Sequence, residues 1–453
     1  MMVNYMQPEE LKDILASCKK NNNYEKVKKL IASQYAVDIA QGIAGFEDEE
    51  LRTFLDALET EDIASIIEAA PPSLQKKIIE KIGIDETISV FSLLSADDIA
   101  DILGLLKIDL RKDLLRQMKQ NDSEDIQTLL AFDPDTAGGI MTTQYIAVKE
   151  SLSISETLQK IKMIGPKTEV IETIFVVNLQ NELIGTADLR DILTTAGEVA
   201  LSKIMDDNII FVFPETDQEE VSLIVSKYDL KVLPVVNSNR VILGIITPDD
   251  VIDVIMKEQT EDFLMLFGVN KHEKVGSKLS TSLSKRLPWL CVNLITAFFA
   301  ALIVSLFEDV IAQVVALAVA MPIIAGMSGN FGSQTLSIVI RGIALGEIDI
   351  KRDWKFVFKE ISLGLISGSI IGFITGLFLF LRYQNIVLSL ILFTSMILSL
   401  VIAGIFGFLV PLVLKRLKLD PAISSSIFLT AATDIGGFFI FLGLAKFFLP
   451  SLL

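Results

Sequence analysis

One carboxylate stands alone in an apolar run long enough to cross a bilayer as a helix. Asp434 sits in Thr430-Ala431-Ala432-Thr433-Asp434-Ile435-Gly436-Gly437, and no other residue from Pro421 to Ala445 is charged. An Asp at mid-membrane costs about 2.5–3.5 kcal/mol on insertion scales, so something must offset it. A cation in a water-filled path would do so, and so would an interhelical hydrogen bond that fixes packing. Upstream, Met321-Pro322-Ile323-Ile324-Ala325-Gly326-Met327-Ser328-Gly329-Asn330-Phe331-Gly332-Ser333-Gln334 ends another apolar run with one Pro and three Gly. That composition predicts a broken helix with exposed carbonyls, tolerated only where it lines a cavity or is buried in protein, and Asn330 and Gln334 add oxygens there. The chain has two cysteines, Cys18 and Cys291, and one histidine, His272. So few soft ligands argue against zinc, copper or a disulfide framework, and any bound metal should be hard and oxygen-ligated.

Charge divides the chain into two halves. Residues 1–286 hold 49 of the 57 acids and 30 of the 40 bases, a net of −19, whereas residues 287–453 carry a net of +2. A strongly acidic soluble half followed by a membrane half is expected. Such acidity disfavours nucleic acid and anionic membrane surfaces and favours cations or basic partners. From Met1 to Leu30 the sequence has no apolar core, so no cleavable signal is expected and the soluble half should stay in the cytoplasm.

Residues 1–132 read as an all-helical domain of short helices, with apolar spacings such as Leu51, Phe54, Leu55, Leu58. Thr60-Glu61-Asp62-Ile63, Ala96-Asp97-Asp98-Ile99 and Ser123-Glu124-Asp125-Ile126 repeat one pattern, and a small superhelix is expected. Helix capping is the plain role of Asp97 and Asp98. Two copies of an α/β unit follow, at 133–200 and 201–256. Ile140-Met141 recurs as Ile204-Met205, and Val176-Val177-Asn178 recurs as Val235-Val236-Asn237 at a slightly shorter offset. An insertion in the first copy, near Glu169-Val170-Ile171-Glu172, accounts for the difference.

After Asp249-Asp250 a long helix should run to about Phe267, either carrying motion to the membrane half or packing as an amphipathic linker. A connector is expected over 257–286 and a membrane domain over 287–453. The latter should hold five spans, Leu287–Phe307, Val310–Met327, Phe356–Leu381, Ile386–Leu414 and Pro421–Ala445. Lys274, Lys278, Lys285 and Arg286 place the amino side inside and the carboxyl end outside. Gly364, Gly368, Gly372 and Gly376 form a ridge for close helix approach, within one subunit or between two. An odd span number suits a symmetric dimer better than an inverted repeat, since a dimer brings two copies of Asp434 to one axis.

The repeat pair resembles tandem CBS domains, on Leu243-Gly244-Ile245-Ile246-Thr247-Pro248-Asp249-Asp250. In that family the hydroxyl and the last Asp, here Thr247 and Asp250, meet an adenosine nucleotide such as ATP. The first copy reads Gly185-Thr186-Ala187-Asp188-Leu189-Arg190-Asp191, with Asp188 in the hydroxyl's place. End to end, the chain resembles the MgtE-type magnesium channel/transporter family. The resemblance rests on Pro322 through Gln334, Asp420-Pro421-Ala422, Asp434, and the junction Asp133-Pro134-Asp135-Thr136-Ala137-Gly138-Gly139-Ile140-Met141-Thr142.

The resemblance implies a plasma-membrane homodimer whose pore is lined by the second and fifth spans. Gly326, Gly329, Asn330 and Gln334 would line it, and Asp434 with the Thr430 carbonyl would hold a hydrated Mg2+. It further implies gating by cytosolic Mg2+ at Asp97, Asp101, Gly139, Asp217, Glu219, Asp229, Asp250 and Asp253. Glu258, Glu261 and Asp262 would lie on a plug helix facing Asp420. Where the family has Asn-Pro before the Asp segment, this chain has Ser426-Ile427. Two other functions fit parts of the sequence: a non-conducting membrane-anchored CBS sensor, and a transporter of another divalent ion such as Mn2+ or Co2+. Intramembrane aspartyl chemistry, an enzyme alternative, needs two nearby carboxylates within one catalytic unit, and the spans offer only Asp434 well away from the interfaces.

Overall fold

The computed structural model describes residues 31 and 34–452, apart from 166–167, 271–272, 274, 349–353 and 422–424. Cys18, His272, Lys274 and Ala422 lie outside the described residues. The chain forms two compact units, the first ending at Ile255 and the second beginning at Met256.

Among the described residues, eight short helices open the first unit: α1 (Ala36–Ile43), α2 (Asp48–Leu55), α3 (Thr60–Glu68), α4 (Pro72–Ile82), α5 (Ile84–Phe91), α6 (Ala96–Leu105), α7 (Ile108–Gln117) and α8 (Gln120–Leu129). Each helix packs on the one two places along: α1 on α3, α2 on α4, α3 on α5, α4 on α6, α5 on α7 and α6 on α8. That alternation is the expected superhelix. Helices this short are marginal alone, so burial of their apolar faces supplies their stability. Ile43, Leu51, Phe54, Ile67, Ile78 and Leu103 are among the buried residues that supply it. Pro72 starts α4, where its missing N–H costs nothing. The Ser95 hydroxyl caps α6 by accepting from the Asp98 N–H.

The tandem repeat follows as β1 (Ala147–Lys149), α9 (Ile154–Ile164), β2 (Thr173–Val177), β3 (Leu183–Asp188), α10 (Leu189–Thr194), α11 (Gln218–Tyr228), β4 (Leu233–Val236) and β5 (Ile242–Ile246). β1 pairs parallel with β2, and β2 antiparallel with β3. In the second copy β4 pairs antiparallel with β5, and Val212 bridges Val235 in parallel, as Val148 pairs with Val176 in the first. Both members of the later pair stand at the two offsets read from the sequence. The copies also exchange edges: Thr142 bridges Ile245 of the second copy, and Asp206 bridges Thr186 of the first. This crossing explains two glycines. A Cβ on Gly185 would lie 2.9 Å from Met205 Sδ, and one on Gly244 would lie 2.8 Å from Met141 Sδ. Each Met of the matched Ile-Met pairs lies over the glycine of the other copy.

α12 (Pro248–Leu266) runs on from the second copy and carries the division between units. The second unit then holds α13 (Leu279–Ser305), α14 (Glu308–Gln313), α15 (Ala316–Ala344), α16 (Trp354–Tyr383), α17 (Ile386–Arg416), α18 (Ser425–Phe447) and α19 (Leu449–Leu452). Five of these, α13 and α15 to α18, are long and apolar enough to span a membrane. The glycine ridge packs within the subunit. On α16, a Cβ at Gly364 would lie 2.9 Å from Val401 Cα, one at Gly368 2.6 Å from Ile397 Cα, and one at Gly372 2.9 Å from the Phe393 carbonyl, all on α17.

The expected break in the second span is absent. α15 is continuous through Pro322 and the glycines, and it begins at Ala316, not Val310, where the separate helix α14 lies instead. Unwinding in lipid would strand several backbone groups, whereas Pro322 removes only its own N–H. Contact with α18 holds the helix further: a Cβ on Gly332 would lie 2.9 Å from Leu429 Cδ1.

The ridge generates a direct test. Gly368→Leu should lower the melting temperature of the detergent-solubilised protein by an overpacking cost of about 1–3 kcal/mol. Gly443→Ala, where a Cβ meets nothing within 4 Å, should leave it nearly unchanged.

Candidate functional site

In the second unit, the uncovered face of α15 mixes polar residues with apolar Val319, Pro322 and Ile338. Gly326, Asn330, Ser333, Gln334 and Ser337 are not fully buried and Gly329 is likewise partly open, while Ala320, Ile324, Ser328, Gly332, Thr335, Leu336 and Val339 are buried. Pro322, Gly326, Asn330 and Gln334 recur every fourth residue, which sets them in one stripe along the helix. A polar face cannot rest against lipid at low cost, so water or another protein surface must cover it.

α18 packs beside α15, with Gly437 against Ile324 and Gly332 against Leu429. Its residues Ser426, Thr430 and Asp434 share a less buried face, while Leu429, Thr433, Gly437 and Phe441 are buried. Asp434 is half-buried and makes no hydrogen bond or ion pair with any described residue. A hydrogen bond to a described residue of its own chain therefore does not account for it. The Thr430 carbonyl, one turn earlier, accepts the Thr433 hydroxyl at 3.0 Å in addition to its helical backbone bond.

A group of acids gathers near the segment that leads into α18. Asp262 on α12 is raised to about 6, first by burial and then by Asp420, Glu258 and Glu261. Leu266, one turn further along α12, packs on Leu336, Ile340 and Leu429. The connecting helix thus places its acids near Asp420.

A second acidic group lies within the first unit, at the turn of the second repeat. Burial raises Asp250 to about 7, reinforced by Asp97, Asp249 and Asp98, while the Thr247 hydroxyl donates to it at 2.7 Å. Glu169 is raised to about 7 by burial, then by Asp97, Asp250 and Asp249. Asp98 is raised to about 6 by burial and by Asp97, Glu68 and Asp101. Asp97 is likewise raised by burial, and its Oδ1 is buried without a hydrogen-bond partner. Such an orphaned oxygen among mutually repelling acids fits a hard cation. Among the described residues, however, no three carboxylates already converge on one point suited to a metal ion.

The other regulatory candidates fall elsewhere. The strip Thr136–Gly139 runs along 214–217, through Ala137 N–H to the Thr216 carbonyl at 2.7 Å and the Thr136–Asp217 bridge, so Gly139 and Asp217 are neighbours. Asp217 caps α11 by accepting from the Glu219 N–H at 2.8 Å, and Asp229 ends the same helix in the left-handed conformation. No bond or bridge among the described residues brings Asp253 to Asp217 or Asp229 within this chain. Thr247 and Asp250 bind one another, and the acids around them repel a polyphosphate. At the first turn Asp188 caps α10 and pairs with Lys231 at 3.1 Å, which makes this the more cationic of the two.

Sequence reasoning missed Glu169 and Asp249 as members of the acidic group, and Thr142, whose side chain hydrogen-bonds Asp97 and Glu169. The insertion holding Glu169 was the available signal, because an extra segment in one copy breaks the symmetry of the two clefts.

These features define a multi-pass membrane protein that joins an intramembrane acid, unpartnered among the described residues, to an acid-lined unit of short helices and a tandem α/β repeat. Residues 321–444 match the MgtE family, described as divalent cation transporter, residues 34–135 match the MgtE intracellular N domain, and residues 137–198 and 201–257 match the CBS domain. The chain is 31% identical over 399 residues to the magnesium transporter MgtE of Bacillus subtilis, covering 88% of each. It is 33% identical over 330 residues to the magnesium transporter MgtE of Thermus thermophilus, covering 72% of this chain and 73% of that one. The crystal structure of the cytosolic domain of the Mg2+ channel MgtE in complex with ATP is similar with a TM-score of 0.51 and 26% identity, over 53% of this chain and 98% of that one. The chain belongs to the MgtE family of divalent cation transporters.

The raised acids set a pH dependence. Folding holds protons on Asp98, Glu169 and Asp250 that the unfolded chain releases near its ordinary values of 3.8 and 4.5. Their contribution therefore favours the folded state at low pH and is lost as pH rises from about 4 through 7. With divalent ions chelated, the first unit should melt at lower temperature at pH 8 than at pH 5.5. Asp250→Asn combined with Glu169→Gln should flatten that difference, as followed by circular dichroism.

Proposed function

We propose that this protein moves Mg2+ across the plasma membrane, through a path lined by α15 and α18 of two subunits related by a symmetry axis. The observation that carries the reading is the Asp434 carboxylate, which lacks any partner among the described residues of its own chain, beside a helix with an uncovered polar face. Two such carboxylates at one axis suit a magnesium ion that keeps its water, because Mg2+ dehydrates reluctantly and takes few direct protein ligands. Gly326, Gly329, Asn330 and Gln334 line the path, and the Thr430 carbonyl assists Asp434. The soluble unit and the carboxyl-terminal part of α12 face the cytoplasm, and the carboxyl end faces outside, in accord with the bases that flank the spans.

The two acidic groups give the path its control. Mg2+ held at Asp97 and Asp250, with Glu169 and Asp249 beside them, cancels their repulsion and keeps the helical stack on the repeat pair. Asp101, Gly139, Asp217, Glu219, Asp229 and Asp253 supply further oxygens for such ions, some of them shared with a second subunit. At the membrane, Glu258, Glu261 and Asp262 with Asp420 hold α12 against the path entrance while Mg2+ is plentiful. When Mg2+ falls, repulsion returns and the assembly loosens. ATP, which the solved cytosolic-domain relative binds, is better accommodated at the first repeat's turn with Lys231 and Arg190 than among the acids around Thr247 and Asp250.

Asp434→Ala should abolish Mg2+ flux into liposomes while leaving the protein folded and its assembly state unchanged; wild-type flux in that variant would reject the path. Millimolar Mg2+ should also slow tryptic cleavage of the soluble unit several-fold, since ions that bind only the folded state stabilise it. Equal cleavage rates with and without Mg2+ would reject the sensor and leave the path intact.

A further inference from the structure

Within the membrane-length helices, Glu360 is the one buried acid or base among the described residues, 7% exposed. Its Oε2 accepts the Thr335 hydroxyl at 2.8 Å. No other side-chain to side-chain hydrogen bond among the described residues joins two of the membrane-length helices. Thr335, 3% exposed, adjoins Gln334 but faces the opposite way from the uncovered stripe of α15. Around this bond three helices close tightly. A Cβ on Gly404 of α17 would lie 3.2 Å from the Glu360 carbonyl and 3.2 Å from Phe331 Cε1, and one on Gly407 would lie 3.0 Å from Thr335 Cβ. α16 otherwise packs chiefly on α17 and meets α15 only over a short stretch. A carboxyl group so placed is costly, and two hydrocarbon side chains would fill the space without that cost.

We infer that Glu360 is a positioning residue: its bond to Thr335 fixes the rotation of α15 about its own axis, and so aims Gly326, Asn330 and Gln334 into the ion path. Helix packing by glycines and leucines permits small rotations at little cost, because dispersion contacts have no direction. A hydrogen bond does have direction, and within lipid neither partner finds water as a substitute. A rotation of α15 by a fraction of a turn would move the Asn330 and Gln334 oxygens off the axis and alter which hydrated ion fits. Glu360 touches no ion in this scheme; it acts through Thr335 and α15.

The inference rests on the proposed path, so Asp434→Ala serves as the reference in the same experiment. Full-length protein in liposomes is assayed for Mg2+ flux and for the ratio of Mg2+ to Co2+ flux, with melting temperature and assembly state measured alongside. Glu360→Gln, which keeps an acceptor for the Thr335 hydroxyl, should retain flux and ion ratio within about twofold. Thr335→Val, which keeps the shape and removes the hydroxyl, should lose about tenfold in maximal flux and shift the ion ratio at unchanged assembly state. Glu360→Leu should do the same, and the double variant should add nothing to either single change. A folded Thr335→Val protein with wild-type flux and ion ratio overturns the inference, as does a Glu360→Gln protein that behaves like Glu360→Leu. If Asp434→Ala keeps its flux, the path itself is wrong, and that outcome is separate from either result at Glu360.

Discussion

Polar groups inside a bilayer must find partners, and that requirement governs the membrane half of this protein. Most of its backbone is satisfied by long helices, and many of its hydroxyls donate back to carbonyls one turn earlier, as Thr430 does to Ser426 and Thr394 to Leu390. Two carboxyl groups stand outside that pattern. Glu360 is buried and bonded to Thr335, whereas Asp434 is half-buried and bonded to none of the described residues of its chain. One acid is therefore part of the packing, and the other takes no part in it among the described residues. The same contrast divides the two sides of α15, where leucines and small residues meet neighbouring helices and the glycine, Asn330 and Gln334 stripe is left uncovered.

In the soluble unit the governing force is repulsion in place of unmet hydrogen bonding. Asp97, Asp98, Glu169, Asp249 and Asp250 come together where burial already disfavours charge, and their mutual repulsion adds to the rise of Asp98, Glu169 and Asp250 toward neutral pH. A fold optimised for stability alone would not collect acids there. The apolar superhelix holds them in place, through residues such as Ile102, Leu103 and Val251 that share one core with the repeat pair. Stability and sensitivity are thus set by different residues. The core resists opening, and the acids make the balance depend on pH.

The repeat pair shows how a small break in symmetry separates two similar clefts. Both copies cross their edges over the other's glycine, with Met141 over Gly244 and Met205 over Gly185. Yet the first turn carries Asp188 paired with Lys231, and the second carries Thr247 and Asp250 among acids. The insertion that brings Glu169 to the second cleft belongs to the first copy alone. One cleft is left with a cation and the other with a surplus of negative charge.

Much of this was legible in the residues. Apolar periodicity and charge count marked the helical stack, the repeat and the five spans, because burial against water or lipid leaves its period in the chain. The two repeat offsets reappear as matching strand pairs, Val148 with Val176 and Val212 with Val235, since register follows sequence spacing once a fold repeats. Motif chemistry picked out Asp434 and the uncovered stripe of α15. Composition misled at Pro322 and its glycines, which predict a break but stay helical, with Gly332 packed against Leu429 of the neighbouring helix. Tertiary structure alone decided that the Gly364–Gly376 ridge faces α17, that Glu360 meets Thr335, and that Glu169 joins Asp97 and Asp250. Those are contacts between residues distant in the chain, and the direction a side chain takes across such a distance depends on the packed helix or strand it comes from, which no local pattern encodes.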